Sequence, residues 1–201
     1  MHKLLIAMLF MLTTVQVQSA QDGHDVLDHL QNTGFESPDL TAGDGKAVDP
    51  DHWFYFSSVE GPRSGVAIEK KRHGSQSLRF KASMETNSYR GYAQWFRAKP
   101  GIRYSFSVYV INGSTDPMPA SAYGQISLEF QTAEGTEVQR VHGPVWSSTL
   151  PMNKWETFIV EGTAPEQAAT GTAVITLFSK DSTGFGTFFV DDIEFTQTPS
   201  L

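Results

Sequence analysis

Tyr104-Ser105-Phe106-Ser107-Val108-Tyr109-Val110-Ile111 alternates strictly between two sets of side chains. Tyr104, Phe106, Val108 and Val110 share one side of an extended chain, and Ser105, Ser107, Tyr109 and Ile111 share the other. Because side chains of a strand point to opposite faces in turn, this is a strand that covers a core on one side only. Gln125–Gln131 repeats the pattern, with Ile126, Leu128 and Phe130 on the apolar face and Gln125, Ser127, Glu129 and Gln131 opposite. In Ser77–Ala82 the apolar set is Leu78, Phe80 and Ala82, and Arg79 and Lys81 point outward. A slip of one residue would expose each apolar set, so register is tightly specified.

Similar runs lie on either side: Trp53–Ser57, Ala67–Lys70, Tyr89–Ala98, Glu156–Gly162, Ala173–Phe178 and Phe188–Thr196. Gly, Pro, Ser, Asn and Asp punctuate them, and no segment sustains a helical period. Short strands at this spacing predict an all-β fold, a single antiparallel β-sandwich over residues 32–198. Lys99-Pro100-Gly101 is turn chemistry and is expected to join two adjacent antiparallel strands.

The chain of 201 residues carries 14 Phe, 6 Tyr and 4 Trp, which is a composition able to build a core. Its formal net charge of −7 argues against a general nucleic-acid or anionic-membrane binder, since both require a positive field. The absence of cysteine excludes disulfides, thiolate metal sites and cysteine nucleophiles. Lys3 followed by the apolar run Leu4–Val15 reads as a secretory signal peptide over residues 1–20, too short for the ~20 residues of a membrane span. A polar lead-in over 21–31 follows, and the expected location is periplasmic or secreted, without membrane insertion.

Blocks spread from residue 32 to residue 196 resemble one family. Asn32-Thr33-Gly34-Phe35-Glu36 with Trp53 beyond it, His73-Gly74-Ser75-Gln76-Ser77-Leu78, Gln94 with Pro100-Gly101-Ile102-Arg103-Tyr104, and Trp155 with Ala164-Pro165 and Val190-Asp191-Asp192-Ile193 occur in order. Together they resemble the jelly-roll carbohydrate-binding modules of the galactose-binding-like superfamily, families four, nine and twenty-two in particular. The resemblance implies a non-catalytic protein that binds a poly- or oligosaccharide on one face of the sandwich.

It also implies a structural calcium ion, Ca2+, tying the opening of the fold to its close through Glu36 and Asp191 or Asp192, with carbonyls near Gly74 and Ser75. Matching the family pattern turns Gln94, Phe96 and Ala98 inward. Trp95 and Arg97 then point outward beside Tyr109, with Glu129 and Gln131 on the next strand, Arg79 near them and Trp53 at the edge. Rings to stack on a pyranose and polar groups for its hydroxyls make that set the expected ligand site. Two alternatives compete. A structural or partner-binding sandwich predicts that Trp95, Tyr109 and Glu129 form no single exposed cluster. A small glycan-active hydrolase or lyase requires two carboxylates about 5–10 Å apart, for which Glu129 with Glu156 or Glu161 are candidates.

Overall fold

The computed structural model describes residues 25–40, 47–60, 63–181 and 184–199. The expected signal peptide, and the lead-in as far as residue 24, lie outside these residues. The strands are β1 (Phe54–Ser57), β2 (Gly65–Ala67), β3 (Ser77–Lys81), β4 (Ser88–Arg97), β5 (Ile102–Asn112), β6 (Ala122–Gln131), β7 (Glu137–Ser147), β8 (Glu156–Thr163), β9 (Thr170–Ser179) and β10 (Thr187–Pro199). They form two five-stranded sheets, ordered β1-β4-β9-β6-β7 and β2-β3-β10-β5-β8, with antiparallel pairing throughout. No α-helix occurs among the described residues.

The alternating strands face as their sequences require. Tyr104, Phe106, Val108 and Val110 of β5 are fully buried, as are Ile126, Leu128 and Phe130 of β6 and Leu78 and Phe80 of β3. Phe80 stacks on Phe188 at 4.7 Å, and Phe96 meets Tyr104 at 4.9 Å and Phe195 at 4.7 Å. Rings from both sheets therefore fill one core, each worth roughly 1.5–3 kcal/mol of burial. Gln94, Phe96 and Ala98 turn inward as expected, Gln94 bonding the backbone of Gln31.

Three expectations need correction. Lys99-Pro100-Gly101 does form the turn, with Gly101 at φ 74° and Ile102 N–H donating to the Lys99 carbonyl. The strands it joins, however, belong to opposite sheets: β4 pairs with β1 and β9, and β5 with β10 and β8. The turn is thus an arch across the core and not a hairpin. Second, β7 is a full strand that the hydrophobic pattern concealed. It is an edge strand, mostly polar, and Gly143-Pro144 falls at a bulge where Gln125 pairs Val145 and Ser127 pairs His142. Proline is tolerated at such an edge because no neighbour needs its missing N–H. Third, β2 spans Gly65–Ala67, short of the expected Ala67–Lys70.

Residues 25–31 of the lead-in are docked against the sandwich. Leu27 makes a parallel bridge to Phe96, with Arg97 N–H donating to the Leu27 carbonyl at 2.7 Å, and Leu30 joins the core. The lead-in thus extends the edge of the first sheet where β1 ends.

Candidate functional site

Register fixes what the outer face of the β1-β4-β9-β6-β7 sheet carries. One row reads Trp95, Thr172, Glu129, Arg140; the next reads Ala93, Val174, Ser127, His142. Gly91, Thr176 and Gln125 follow, then Tyr89, Phe178 and Tyr123. Phe54 and Phe56 of β1 stand opposite Ala93 and Gly91. A side chain at Gly91 would strike the Phe56 ring at 2.3 Å, so the missing Cβ is what lets that ring lie across the sheet.

Part of this face lines a small cleft open to solvent. Phe56, Tyr89 and Phe178 supply rings, Gln125, Ser127, Glu129 and Thr176 supply a polar floor, and Arg140 and His142 stand on the β7 side. Phe56 and Tyr89 are 6.3 Å apart, and Tyr123 stacks on Phe178 at 4.8 Å just beyond.

Glu129 dominates the electrostatics. Only 2% of it is exposed. One oxygen lies 3.3 Å from Arg140 Nε and accepts from Ser127 Oγ at 3.3 Å, while Oε2 has no hydrogen-bond partner. Burial pushes its carboxyl up to about 7; Arg140 and Ser127 pull it down, and Glu137 adds to the rise. Arg140 is itself shared, its Nη2 donating to Glu137 at 2.5 Å. Beside Glu129, Thr172 Oγ1 and Gln131 Oε1 are likewise buried without hydrogen-bond partners.

The expected ligand set divides over the molecule. Trp95, Arg97, Glu129 and Gln131 do share this outer face, along the pairs Trp95–Thr172–Glu129 and Arg97–Thr170–Gln131. Trp95, however, is 3% exposed, packed with Ala93, Val174 and Val26 and meeting Phe54 edge-on at 5.7 Å. It is a packing residue and no open platform. Arg97 is exposed and lies 3.3 Å from Asp28. Tyr109 belongs to the opposite sheet, because the arch at Gly101 sends β5 there, and Arg79 lies in that sheet on β3; Arg72 lies over the Tyr109 ring at 3.6 Å. Trp53 is in the core against Phe35, its Nε1 donating to the Gln31 carbonyl. Trp95, Tyr109 and Glu129 therefore form no single exposed cluster, as the partner-binding alternative expected.

Glu156 and Glu161 lie on β8 of the opposite sheet from Glu129, and Glu161 pairs with Arg103 at 2.6 Å, so neither can act as its catalytic partner. Among the described residues Glu129 is the one carboxylate lining the cleft. Sequence reasoning missed Phe56, Tyr89, Arg140, His142 and Thr172. Alternation along β9, with Thr170, Thr172, Val174, Thr176 and Phe178 opposite Ala173, Ile175 and Leu177, was the available signal.

The carboxylates expected to hold calcium meet at the turn 72–76. Glu36 accepts from Ser75 N–H and Oγ and from Gln76 N–H. Asp191, buried and pushed up to about 6 chiefly by that burial, accepts from Arg72 N–H at 2.7 Å and, through its other oxygen, from Asp192 N–H. Asp192 is partly engaged already: its Oδ2 lies 2.5 Å from both Arg72 Nη1 and His73 Nδ1. No group of three or more His, Asp or Glu gathers anywhere among the described residues. Glu36 and Asp191 keep free lone pairs, so they fit a calcium only if backbone carbonyls and water complete its six to eight oxygens.

No protein-family model matches the chain, and no curated protein matches it in sequence. Solved structures share its fold. The CBM22-1 xylan-binding domain from Paenibacillus barcinonensis Xyn10C aligns with a TM-score of 0.53 and 15% identity over 76% of this chain and 90% of that one. A Stig cyclase, Fisc, from Fischerella sp. TAU, solved with an indole compound, aligns at 0.57 with 16% identity over 88% and 99%. The enzymatically active domain of bacteriophage CBA120 tailspike protein 4 aligns at 0.59 with 10% identity over 86% of this chain, which spans only 22% of the tailspike chain. The chain thus has the β-sandwich fold of carbohydrate-binding modules, a fold also used by enzymes.

Proposed function

We propose that this chain is an exported, non-catalytic carbohydrate-binding protein that takes a poly- or oligosaccharide across the β1-β4-β9-β6-β7 face. The observation behind the reading is the polar floor of that face. Gln125, Ser127, Glu129 and Thr176 make up that floor, and Glu129 is buried with Oε2 lacking a hydrogen-bond partner. Buried polar groups are nearly always paired, and an unmade bond costs ~1–3 kcal/mol. A ligand that brings several hydroxyl donors and an apolar ring face suits such a floor beside Phe56, Tyr89 and Phe178. The fold shared with a xylan-binding domain supports the same class of ligand.

Affinity electrophoresis through xylan, mixed-linkage glucan and mannan tests this. Retardation in at least one gel is expected, abolished in Tyr89→Ala/Gln125→Ala and retained in Tyr109→Ala, whose ring lies on the other sheet. Absence of retardation on a broader glycan array, or retardation indifferent to the double variant, refutes it.

A second reading rests on Glu129 alone. A carboxyl poised near 7 in a ring-lined cleft is suited to donate a proton at neutral pH. It uses a single acid in place of the hydrolase pair, and turnover abolished by Glu129→Gln would mark it.

Two expectations join the proposal. Export through residues 1–20 is tested by mass spectrometry of the mature N-terminus. A structural calcium would be held by Glu36 and Asp191, where it would supply positive charge to a buried carboxylate and tie the opening segment to β10. Those two segments are already joined by Ile193 N–H donating to the Thr33 carbonyl.

A further inference from the structure

The second sheet carries its own cleft, unconnected with the first. It opens on the outer face near β3 and β10 and has a volume of about 410 Å³. Its floor is Thr187 and Phe189 of β10 beside Arg79 and Lys81 of β3, paired across the strands as Phe189–Arg79 and Thr187–Lys81. One wall is the stretch after β2, with Glu69 and Lys70; the other is the loop Gly113–Asp116.

That loop is held firmly. Asn112, fully buried, accepts from Gly113 N–H and Met118 N–H and donates to the Leu150 carbonyl at 3.1 Å. Thr187 N–H and Oγ1 both donate to the Asp116 carbonyl. Because the Asn112 amide is consumed in this network, the sequence Asn112-Gly113-Ser114 builds a wall and offers no exposed acceptor for glycosylation.

The cleft is cationic on a chain of net charge −7. Arg79, Lys81 and Lys70 face Glu69 and Asp116. Arg79 spends Nη1 on Glu69 at 2.7 Å, but its Nε is enclosed and has no hydrogen-bond partner. Lys81 makes no ion pair among the described residues, and across β10 it meets a threonine where a carboxylate would neutralise it. Arg79 and Lys81 are two residues apart on one strand, so their positions repeat at about 7 Å along the cleft. A walled cleft that holds a lysine without an ion pair, beside an arginine only partly spent on Glu69, recognises oxyanions, Arg through directed N–H donors and Lys as a point charge. The volume exceeds that of a lone oxyanion, and Ser114, Thr115 and Thr187 bring hydroxyls suited to the rest of a sugar ring.

We infer that the outer face of the β2-β3-β10-β5-β8 sheet is a second binding site, for the carboxylate or sulfate groups of an anionic saccharide, with Arg79 and Lys81 as its contacts. It does not depend on the first site, since the core separates the two sheets.

The full chain is run through gels containing polygalacturonate, dextran sulfate or uncharged dextran, at low and at moderate salt. Retardation by at least one charged polymer and none by dextran is expected, weakening as salt rises. The two charged gels tell carboxylate from sulfate. Arg79→Gln/Lys81→Gln should weaken the interaction at least tenfold, and Lys70→Gln, on the opposite wall, should weaken it less. Tyr89→Ala/Gln125→Ala, which disables the first cleft, should leave it unchanged. Lack of retardation by both charged polymers overturns the inference. So does equal retardation by dextran of the Tyr89→Ala/Gln125→Ala chain, in which the first cleft is disabled, or retardation of a folded Arg79→Gln/Lys81→Gln chain as strong as that of wild type. None of these outcomes bears on binding of neutral polysaccharide by the first cleft.

Discussion

Glu129→Gln isolates the protonation of one buried acid. In the folded chain burial raises the Glu129 carboxyl from an ordinary 4.5 to about 7 despite the adjacent Arg140. The folded state therefore holds this proton more tightly than the unfolded state does. Its contribution to stability is full below pH 4.5 and is lost as pH rises through 7. A displacement of that size corresponds to about 3 kcal/mol, since each unit is worth about 1.4 kcal/mol. Glutamine keeps the shape and cannot ionise. Urea unfolding of both proteins from pH 4 to 8.5 gives two stability curves, and their difference removes every other titrating group, including Asp191, which is also raised and is common to both. The variant should gain about 3 kcal/mol on wild type between pH 4.5 and 8. Parallel curves, differing by a constant amount, would mean that Arg140 fully offsets burial and would refute the account of the site's electrostatics. The same shift predicts the ligand's pH response. A hydroxyl donating to Glu129 Oε2 favours the ionised form, so saccharide affinity should rise between pH 6 and 8 in wild type and stay flat in Glu129→Gln.

Trp95→Ala should destabilise the fold by ~3–5 kcal/mol, because the indole is packed among Ala93, Val174 and Phe54, and denaturant unfolding measures it. Gly171→Ala places a methyl 2.2 Å from the Phe96 ring in the core, and a loss of ~1–3 kcal/mol should appear in the same assay. If Glu36 and Asp191 hold calcium, chelation lowers the melting temperature of wild type and leaves that of Glu36→Gln/Asp191→Asn unchanged; a melt indifferent to chelator removes the ion.

The fold was legible because inward positions are decided by local alternation. Tyr104, Phe106 and Val108 declare a buried face whatever the strand pairs with. Pairing itself is a non-local property. Nothing in Lys99-Pro100-Gly101 distinguishes a hairpin from an arch, since both need a proline-set φ and a glycine at positive φ. Reading it as a hairpin put β5 next to β4 and carried Tyr109 into a site on the wrong sheet. Glu129 and Gln131 survived that error because β6 does lie on the same sheet as β4, one strand away across β9. β7 was hidden for a different reason: as an edge strand with one buried ring, Trp146, it presents little hydrophobic period to detect. With it went Arg140 and His142, which line the β7 side of the cleft.

The same arch explains why polar chemistry accumulates on both outer faces. In a hairpin-joined sheet, consecutive alternating strands deliver their polar sets to one common face. Sending β4 and β5 to opposite layers divides those sets instead, with Trp95 and Arg97 on one side and Ser107 and Tyr109 on the other. Each sheet then has a polar exterior of its own, and a rigid core of rings lies between the two. Perturbations of groups this well separated add when they share no partner. The Tyr89→Ala/Gln125→Ala and Arg79→Gln/Lys81→Gln changes should therefore combine without coupling, the stability loss of the quadruple variant matching that of the two double variants together. A departure of more than ~0.5 kcal/mol would show that the core transmits strain between the faces, and would undo the independence assigned to the two clefts.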